Sequence, residues 1–194
     1  MTTSIKLTKS LDWTLYTVQF IKNHFLMIFG LGLVAAIGRA IQLKAFGPVS
    51  PSAHVLLEVV VESARILIFF YALGLTNVKT GVIRLVQLVT NKQGRKQNWR
   101  LAIRKLRDKW PSLLINLLAF SMIALLFNKL IDHIAYETCL YMTLQARQLI
   151  SSQASEWAII LFFKNISVIP FTLIFNAVFC LWLVNRLPKP VAFQ

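Results

Sequence analysis

The sequence has few charged residues and very few acidic ones. Only 14% of its 194 residues are charged, and seven are Asp or Glu against 21 Lys or Arg. Soluble proteins usually have about 25% charged and about 45 to 50% apolar residues, whereas 57% of this chain is hydrophobic. A water-soluble core cannot hold so much apolar surface. The composition therefore excludes an ordinary soluble domain.

The sequence also lacks the short motifs of soluble enzymes. It contains no nucleophile elbow, P-loop, GxGxxG fingerprint, HExxH pair or CxxC pair. Its two cysteines, Cys139 and Cys180, are separated by a predicted span, too far apart for a disulfide whose Cα atoms lie within about 7 Å. The net charge of +14 does not predict nucleic-acid binding, because no segment is long and polar enough to form a water-exposed basic domain.

Four apolar stretches are long enough to cross a membrane, which takes roughly 20 helical residues for a hydrocarbon core of about 30 Å. They lie near residues 24–43, 55–77, 111–131 and 160–184. The first two are interrupted by charged residues, whereas the last two have long uncharged cores, and Pro170 predicts a bend in the fourth. The pattern predicts an all-α polytopic membrane protein, with residues 1–194 forming a single helical domain with four transmembrane helices.

Basic residues are concentrated between the second and third predicted spans, where residues 79–109 hold ten Lys or Arg. Lys and Arg in short loops stay on the cytoplasmic side of a membrane. This rule places both termini inside as well, because they carry Lys6, Lys9, Lys22, Arg186 and Lys189. Fifteen of the 21 basic residues are then cytoplasmic. We therefore predict an integral membrane protein with cytoplasmic termini and a basic cytoplasmic segment over residues 79–110.

Two cytoplasmic segments have amphipathic patterns, which predict two interfacial helices on that side. A weaker apolar stripe, with Trp13 and Phe20, precedes the first span. Helices of this type lie in the headgroup layer, with Trp at the interface and Lys or Arg toward anionic lipid. The clearer stripe consists of Trp99, Ala102, Ile103, Leu106 and Trp110. The expected contacts with anionic lipid are Arg100, Arg104, Lys105, Arg107 and Lys109.

The order of these segments resembles a known type of membrane domain. An amphipathic helix, a span, a second span ending in YALGLTNVKTG and a further amphipathic helix and hairpin resemble uncharacterised bacterial polytopic families. These families are related to the membrane domain that accompanies glycerophosphodiester phosphodiesterases. The quoted segment covers residues 71–81 and includes Leu73, Gly74, Lys79 and Gly81. The resemblance implies a helical bundle in a bacterial inner membrane, and it carries over no catalytic residue because the enzymatic part of that family is a separate soluble domain.

Charged residues inside the second span form the candidate site. Glu58, Glu62 and Arg65 share one helix face, and Arg65 can reach Glu62 within a turn. A charge that faces lipid costs a few kcal/mol or more, so pairing inside the bundle is favoured. Four further candidates for a polar cavity lie at similar predicted depth on the other spans: Arg39, Lys129, His133 and Lys164. Asp132 and Asn165 are next to them in sequence and lie at the same depth.

Three interpretations of this cluster stay open. In the first, Glu62 and Arg65 form a structural pair while the other basic residues reach toward the outer interface. In the second, an outward-facing cavity binds a solute or relays protons through Glu62, which would require an oligomer because four helices are few for a transporter. In the third, a metal ion is bound by His54, Glu58, Glu62 and His133.

The leading functional expectation is a non-enzymatic membrane accessory or organising protein that recognises anionic lipid or a partner protein. The alternatives are a small transporter or channel component and a membrane-embedded, metal-dependent lipid enzyme. We expect no cofactor and no nucleic-acid partner. A homo-oligomer is a further possibility, because Gly32, Ala36 and Ala40 repeat every four residues and allow another helix to approach closely.

Overall fold

A computed structural model describes residues 11–90 and 92–187. Every regular element within these residues is helical, which confirms the all-α class. Lys6, Lys9 and Lys189, which entered the charge analysis, lie outside the described residues. The helices are α1 Asp12–Asn23, α2 Phe25–Gln42, α3 Pro51–Gly74, α4 Val78–Thr90, α5 Lys92–Asp108, α6 Trp110–Asp132, α7 Leu140–Ala146, α8 Glu156–Ile166 and α9 Val168–Leu183, with a π-helical segment His133–Glu137 after α6.

Three helical stretches of the described chain are long and apolar enough to cross a membrane: Phe25–Gln42, Trp110–Glu137 and Glu156–Leu183. They match the predicted first, third and fourth spans. The 24 residues of α3 are also long enough, at about 1.5 Å per residue. However, every 18-residue stretch of α3 contains three charged residues, so its composition alone does not mark it as a span.

The third apolar stretch is interrupted at Ser167, between α8 and α9. Ser167 has φ −127° and ψ −81°, which is outside the helical region. Pro170 has no N–H to donate to the carbonyl of Ile166, so the hydrogen-bond ladder is broken close to this point. The break is the bend predicted from Pro170. The hydroxyl of Ser167 donates to the carbonyl of Phe163 at 2.6 Å.

The basic stretch over residues 79–110 is more helical than predicted. It contains α4 and the whole of α5, whereas the sequence pattern predicted only a loop and a short helix after residue 98. The second predicted span, residues 55–77, also began and ended too late in the chain, because α3 begins at Pro51 and ends at Gly74. Leu75 and Thr76 form the turn with φ of 51° and 84°. At the start of α4, Asn77 Oδ1 accepts a hydrogen bond from the amide nitrogen of Thr80 at 3.2 Å.

Two glycines bring α3 and α4 into backbone contact. A Cβ atom on Gly74 would lie 2.7 Å from the amide nitrogen of Gly81, and a Cβ atom on Gly81 would overlap the carbonyl oxygen of Phe70. The guanidinium of Arg84 donates to the carbonyl of Leu73 at 2.7 Å, which satisfies an open acceptor near the end of α3. The segment YALGLTNVKTG is therefore a tight helical hairpin.

The chain divides into two compact units. Within the described residues, the first unit comprises 11–23, 69–90, 92–122 and 171–187, and the second comprises 24–68 and 123–170. Each is described by itself.

An aromatic cluster forms the core of the first unit. Trp13 on α1 is fully buried, and its ring stacks on Phe179 at 4.8 Å and on Trp182 at 4.7 Å between centroids. The amide of Thr14 and its hydroxyl both donate to the side-chain oxygen of the buried Asn116, at 3.0 and 2.9 Å. The ring of Trp13 therefore does not contact lipid headgroups as predicted, because it packs against the aromatic face of α9.

Small residues in the second unit allow α2 to pack closely against its neighbours. A Cβ atom on Gly32 would lie 2.9 Å from the carbonyl oxygen of Asn165 on α8, and one on Gly38 would lie 2.7 Å from the side chain of Val61 on α3. Ala36 and Ala40 are also buried. The repeat of Gly32, Ala36 and Ala40 thus packs against other helices of the same unit.

Gly81→Ala should destabilise the protein, because its Cβ atom would collide with the carbonyl of Phe70. Overpacking of this kind costs about 1–3 kcal/mol. Gly30→Ala is the matched control, since nothing lies within 4 Å of a Cβ atom at Gly30 and Ala is favoured over Gly in a helix by up to about 1 kcal/mol. Thermal unfolding in detergent should therefore show a lower midpoint for Gly81→Ala and an unchanged or higher one for Gly30→Ala. Equal midpoints would contradict the close helix crossing.

Candidate functional site

A network of charged and amide side chains joins α2, α3 and α8 in the second unit. Arg39 on α2 contacts both carboxylates of α3: its Nη1 donates to Glu58 Oε2 at 2.8 Å, and its Nη2 donates to Glu62 Oε1 at 3.2 Å. The Nη2 atom also lies 3.3 Å from Glu58 Oε1. Arg39 is therefore the centre of the network rather than a side chain that reaches away to the interface.

The predicted pair within α3 is present. Arg65 Nη1 donates to Glu62 Oε1 at 2.5 Å. The same guanidinium also donates to Asn165 Oδ1 on α8, at 3.1 Å from Nε and 2.8 Å from Nη2. Asn165 is 1% exposed, and its own amide group donates to the carbonyl of Leu161 at 2.7 Å. Arg65 thus links α3 to α8.

Gln42 completes the network at the other end. Its Nε2 donates to Glu58 Oε2 at 2.9 Å and to the carbonyl of His54 at 3.0 Å. The Oε1 atom of Gln42 is buried and accepts no hydrogen bond from the described residues. Each carboxylate of α3 consequently accepts from two different side chains, and the two arginines balance the two glutamates in charge.

The network is asymmetric in its exposure. The side chains of Arg39 and Arg65 are 18% and 19% exposed, whereas those of Glu58 and Glu62 are each 44% exposed. The two guanidinium groups are thus mostly buried between the helices and contact several acceptors, whereas the two carboxylates lie closer to the surface of the unit. This arrangement lowers the cost of placing charges in an apolar helix, because every charge has an opposite partner and further hydrogen bonds.

Three of the predicted cavity residues do not join this network. Lys129 is exposed and Lys164 is partly exposed, and neither forms an ion pair with any residue in the described ranges. His133 lies in the π-helical segment, where its Nδ1 is 2.5 Å from Glu137 Oε2. The structure therefore gathers Arg39, Glu58, Glu62 and Arg65, and it leaves the other three candidates apart.

The metal interpretation has no ligand set in the part of the chain that the structure describes. No group of three or more His, Cys, Asp or Glu side chains lies close enough there to bind a metal ion. His54, Glu58, Glu62 and His133 are not gathered: Glu58 and Glu62 are held by arginines, and His133 contacts Glu137.

Gln42 was missed by the sequence analysis of the site, whereas Asn165 was noted beside Lys164 but not included among the candidate cavity residues. Both are uncharged, and polar amides in an apolar helix usually satisfy their own backbone, as Asn165 does in part. The available signal was weak: Gln42 lies three residues after Arg39, and residues three apart on a helix are neighbours.

The basic helix α5 in the first unit has two distinct sides. Trp99 and Ile103 are 68% and 51% exposed, and Ala102 is only 8% exposed. The predicted apolar stripe is therefore divided, with Ala102 and Leu106 toward the protein and the other members outward. Trp110, at the start of α6, is also 58% exposed. Next to the exposed apolar edge are the exposed side chains Arg100, Arg104, Arg107 and Lys109.

Lys105 differs from its basic neighbours and corrects the predicted lipid-binding set. Its Nζ donates to the carbonyl of Trp182 at 2.5 Å and to Asn185 Oδ1 at 2.6 Å, and it lies 4.3 Å from the centre of the Trp182 ring. Burial lowers the pKa of Lys105, and the positive charge of Lys109 lowers it further. Lys105 therefore anchors α5 to the end of α9 and does not face outward.

Comparisons of the chain with protein-family models, curated proteins and solved structures find nothing that matches. The resemblance to bacterial polytopic families stays a prediction, and function has to be argued from the geometry of the chain's own residues.

Arg39→Leu should destabilise the protein more than Arg65→Leu, because Arg39 serves two carboxylates and Arg65 serves one. A double-mutant cycle with Glu58→Gln should give a coupling energy of at least about 1 kcal/mol between Arg39 and Glu58. Lys129→Leu, which removes an exposed cation outside the network, is the control and should be additive with Glu58→Gln. Chemical unfolding in detergent measures both cycles. Additivity of Arg39→Leu with Glu58→Gln would contradict the network.

Proposed function

We propose that the protein is a non-enzymatic integral membrane protein that binds anionic phospholipid headgroups through α5 and organises lipid at the cytoplasmic face. The observation that carries this proposal is the outer side of α5. There, the exposed Trp99 and Ile103 lie beside the exposed Arg100, Arg104 and Arg107.

A surface of this composition is favourable where water meets lipid. Exposed indole and aliphatic groups are poorly placed in water, whereas the rings of Trp suit the interface between headgroups and acyl chains. Guanidinium groups bind phosphate with two parallel hydrogen bonds, and each basic side chain near an anionic surface contributes about 1 kcal/mol. The anchoring of Lys105 supports the proposal as well, because it fixes which side of α5 faces outward.

We propose four spans, with α3 as the second, and place both termini and α5 on the cytoplasmic side of a bacterial inner membrane. The length of α3 and the pairing of its charges support the fourth span. The placement of the loops follows from the concentration of Lys and Arg in residues 79–109. The source membrane is inferred from the resemblance to bacterial polytopic families.

In this proposal the charged network has a structural role. Glu58 accepts from Arg39 and Gln42, and Glu62 accepts from Arg39 and Arg65. Both carboxylates thus join α3 to α2 through charge-assisted hydrogen bonds, and Arg65 joins α3 to α8 through Asn165. Holding the helices together is therefore the role that the geometry favours over transport.

Replacing the three arginines of the outer face, in the combined variant Arg100→Gln, Arg104→Gln and Arg107→Gln, should weaken binding of phosphatidylglycerol on the order of 100-fold, at about 1 kcal/mol per residue. Native mass spectrometry of the intact protein in non-ionic detergent can compare phosphatidylglycerol with phosphatidylcholine. The preference of the unaltered protein for the anionic lipid should decrease as salt is raised.

The matched control removes three exposed cations elsewhere: Lys44→Gln, Lys129→Gln and Arg147→Gln. It should keep the preference for phosphatidylglycerol. If both variants lose the preference equally, net charge rather than α5 determines lipid binding and the proposal fails.

A further inference from the structure

We infer that the second unit contains a binding site for a single-chain amphiphile whose polar head is uncharged. The site consists of two adjoining cavities, one of about 220 Å³ and one of about 530 Å³. Both are lined by Ala45, Phe46 and Ile150, so they share a wall and form one bipartite site. This inference is independent of the lipid binding proposed for α5.

The smaller cavity is entirely apolar. Besides the shared wall, it is lined by aliphatic and aromatic side chains from α2, α7 and α8, among them Ile37, Leu144, Ala158 and Phe162. The cavity is half-open, and an apolar lining of this kind favours hydrocarbon over water. In a chain with membrane-spanning helices, the hydrocarbon at hand is an alkyl or acyl chain.

The larger cavity is lined by both apolar and polar residues, and none of the lining residues is charged. The polar members are Gln145, Gln148, Ser151 and Ser152. Lys44 and Arg147 lie next to lining residues in sequence, yet neither lines the cavity. A charged headgroup placed here would lose water without gaining an opposite charge. Amides and hydroxyls can both donate and accept, which suits the hydroxyl groups of a glycerol or a sugar.

The wall between the two cavities is fixed by hydrogen bonds. The amide of Ser151 donates to the carbonyl of Ala45 at 2.7 Å, which ties the turn after α2 to the turn before α8. Tyr141 donates its hydroxyl to the carbonyl of Ala154 at 2.7 Å and accepts from Gln145 Nε2 at 2.9 Å. Because these groups are held in place before any ligand arrives, little ordering is needed on binding.

Photolabelling of the full chain in phosphatidylcholine bilayers tests the site. The probes are a monoacylglycerol with a diazirine in its acyl chain and an alkyl phosphate with the same chain and diazirine. The monoacylglycerol should label residues 37–46 and 140–163, and excess unlabelled monoacylglycerol should reduce this labelling at least tenfold. Labelling near Leu118 and Leu125, which are 62% and 61% exposed, should not respond to the competitor and reports general contact with lipid.

Two variants separate the parts of the site. Ala158→Leu narrows the apolar cavity and should abolish the competable labelling. Gln148→Lys alters an exposed side chain at the polar cavity, so folding should be preserved, and the preference should shift toward the alkyl phosphate. The inference is overturned by labelling that does not compete, by equal labelling with both probes in the unaltered protein, or by an unchanged preference in Gln148→Lys.

Discussion

Charges in an apolar helix need partners, and this requirement shapes the second unit. α3 carries Glu58, Glu62 and Arg65 within about two turns, and each would cost a few kcal/mol or more if it faced lipid alone. Arg39 from α2 and Asn165 from α8 supply the missing partners. Pairing therefore fixes which faces of α2 and α8 are turned toward α3. Hydrophobic packing stabilises the same arrangement of the helices.

The close approach of the helices is what allows these short contacts. Small residues at Gly32 and Gly38 let the backbone of α2 come near α8 and α3, so that guanidinium and carboxylate groups meet at hydrogen-bond distance. In the first unit, aromatic packing joins the helices instead: the ring of Trp13 is buried against α9. The side-chain oxygen of Asn116 accepts a hydrogen bond from the amide of Thr14 at the start of α1. In each unit a buried amide side chain, Asn116 or Asn165, completes hydrogen bonds between helices, as a hydrocarbon environment favours.

The apolar runs made the helical class, three of the spans and the bend at Pro170 predictable, because length and hydrophobicity depend on local sequence. Partners could not be predicted in the same way. Nothing local distinguishes Arg39, which joins the network, from Lys129, which does not. Similarly, Trp13 and Trp99 occur in similar amphipathic patterns, yet one is buried and the other is 68% exposed. Lys105 likewise differs from Arg104 through its contacts with Trp182 and Asn185, which lie about 80 residues away in sequence.

The central claim is that α3 crosses the membrane with its charges paired, and cysteine accessibility on the two sides of α3 tests it most directly. In a chain carrying Cys139→Ala and Cys180→Ala, the single cysteines Ser52→Cys and Lys96→Cys replace exposed residues in the first turn of α3 and after its end. An impermeant thiol reagent applied to intact cells and to inverted vesicles should label Ser52→Cys only from the outside and Lys96→Cys only from the cytoplasmic side. Labelling of both cysteines from the same side would mean that α3 does not cross, and would contradict the account.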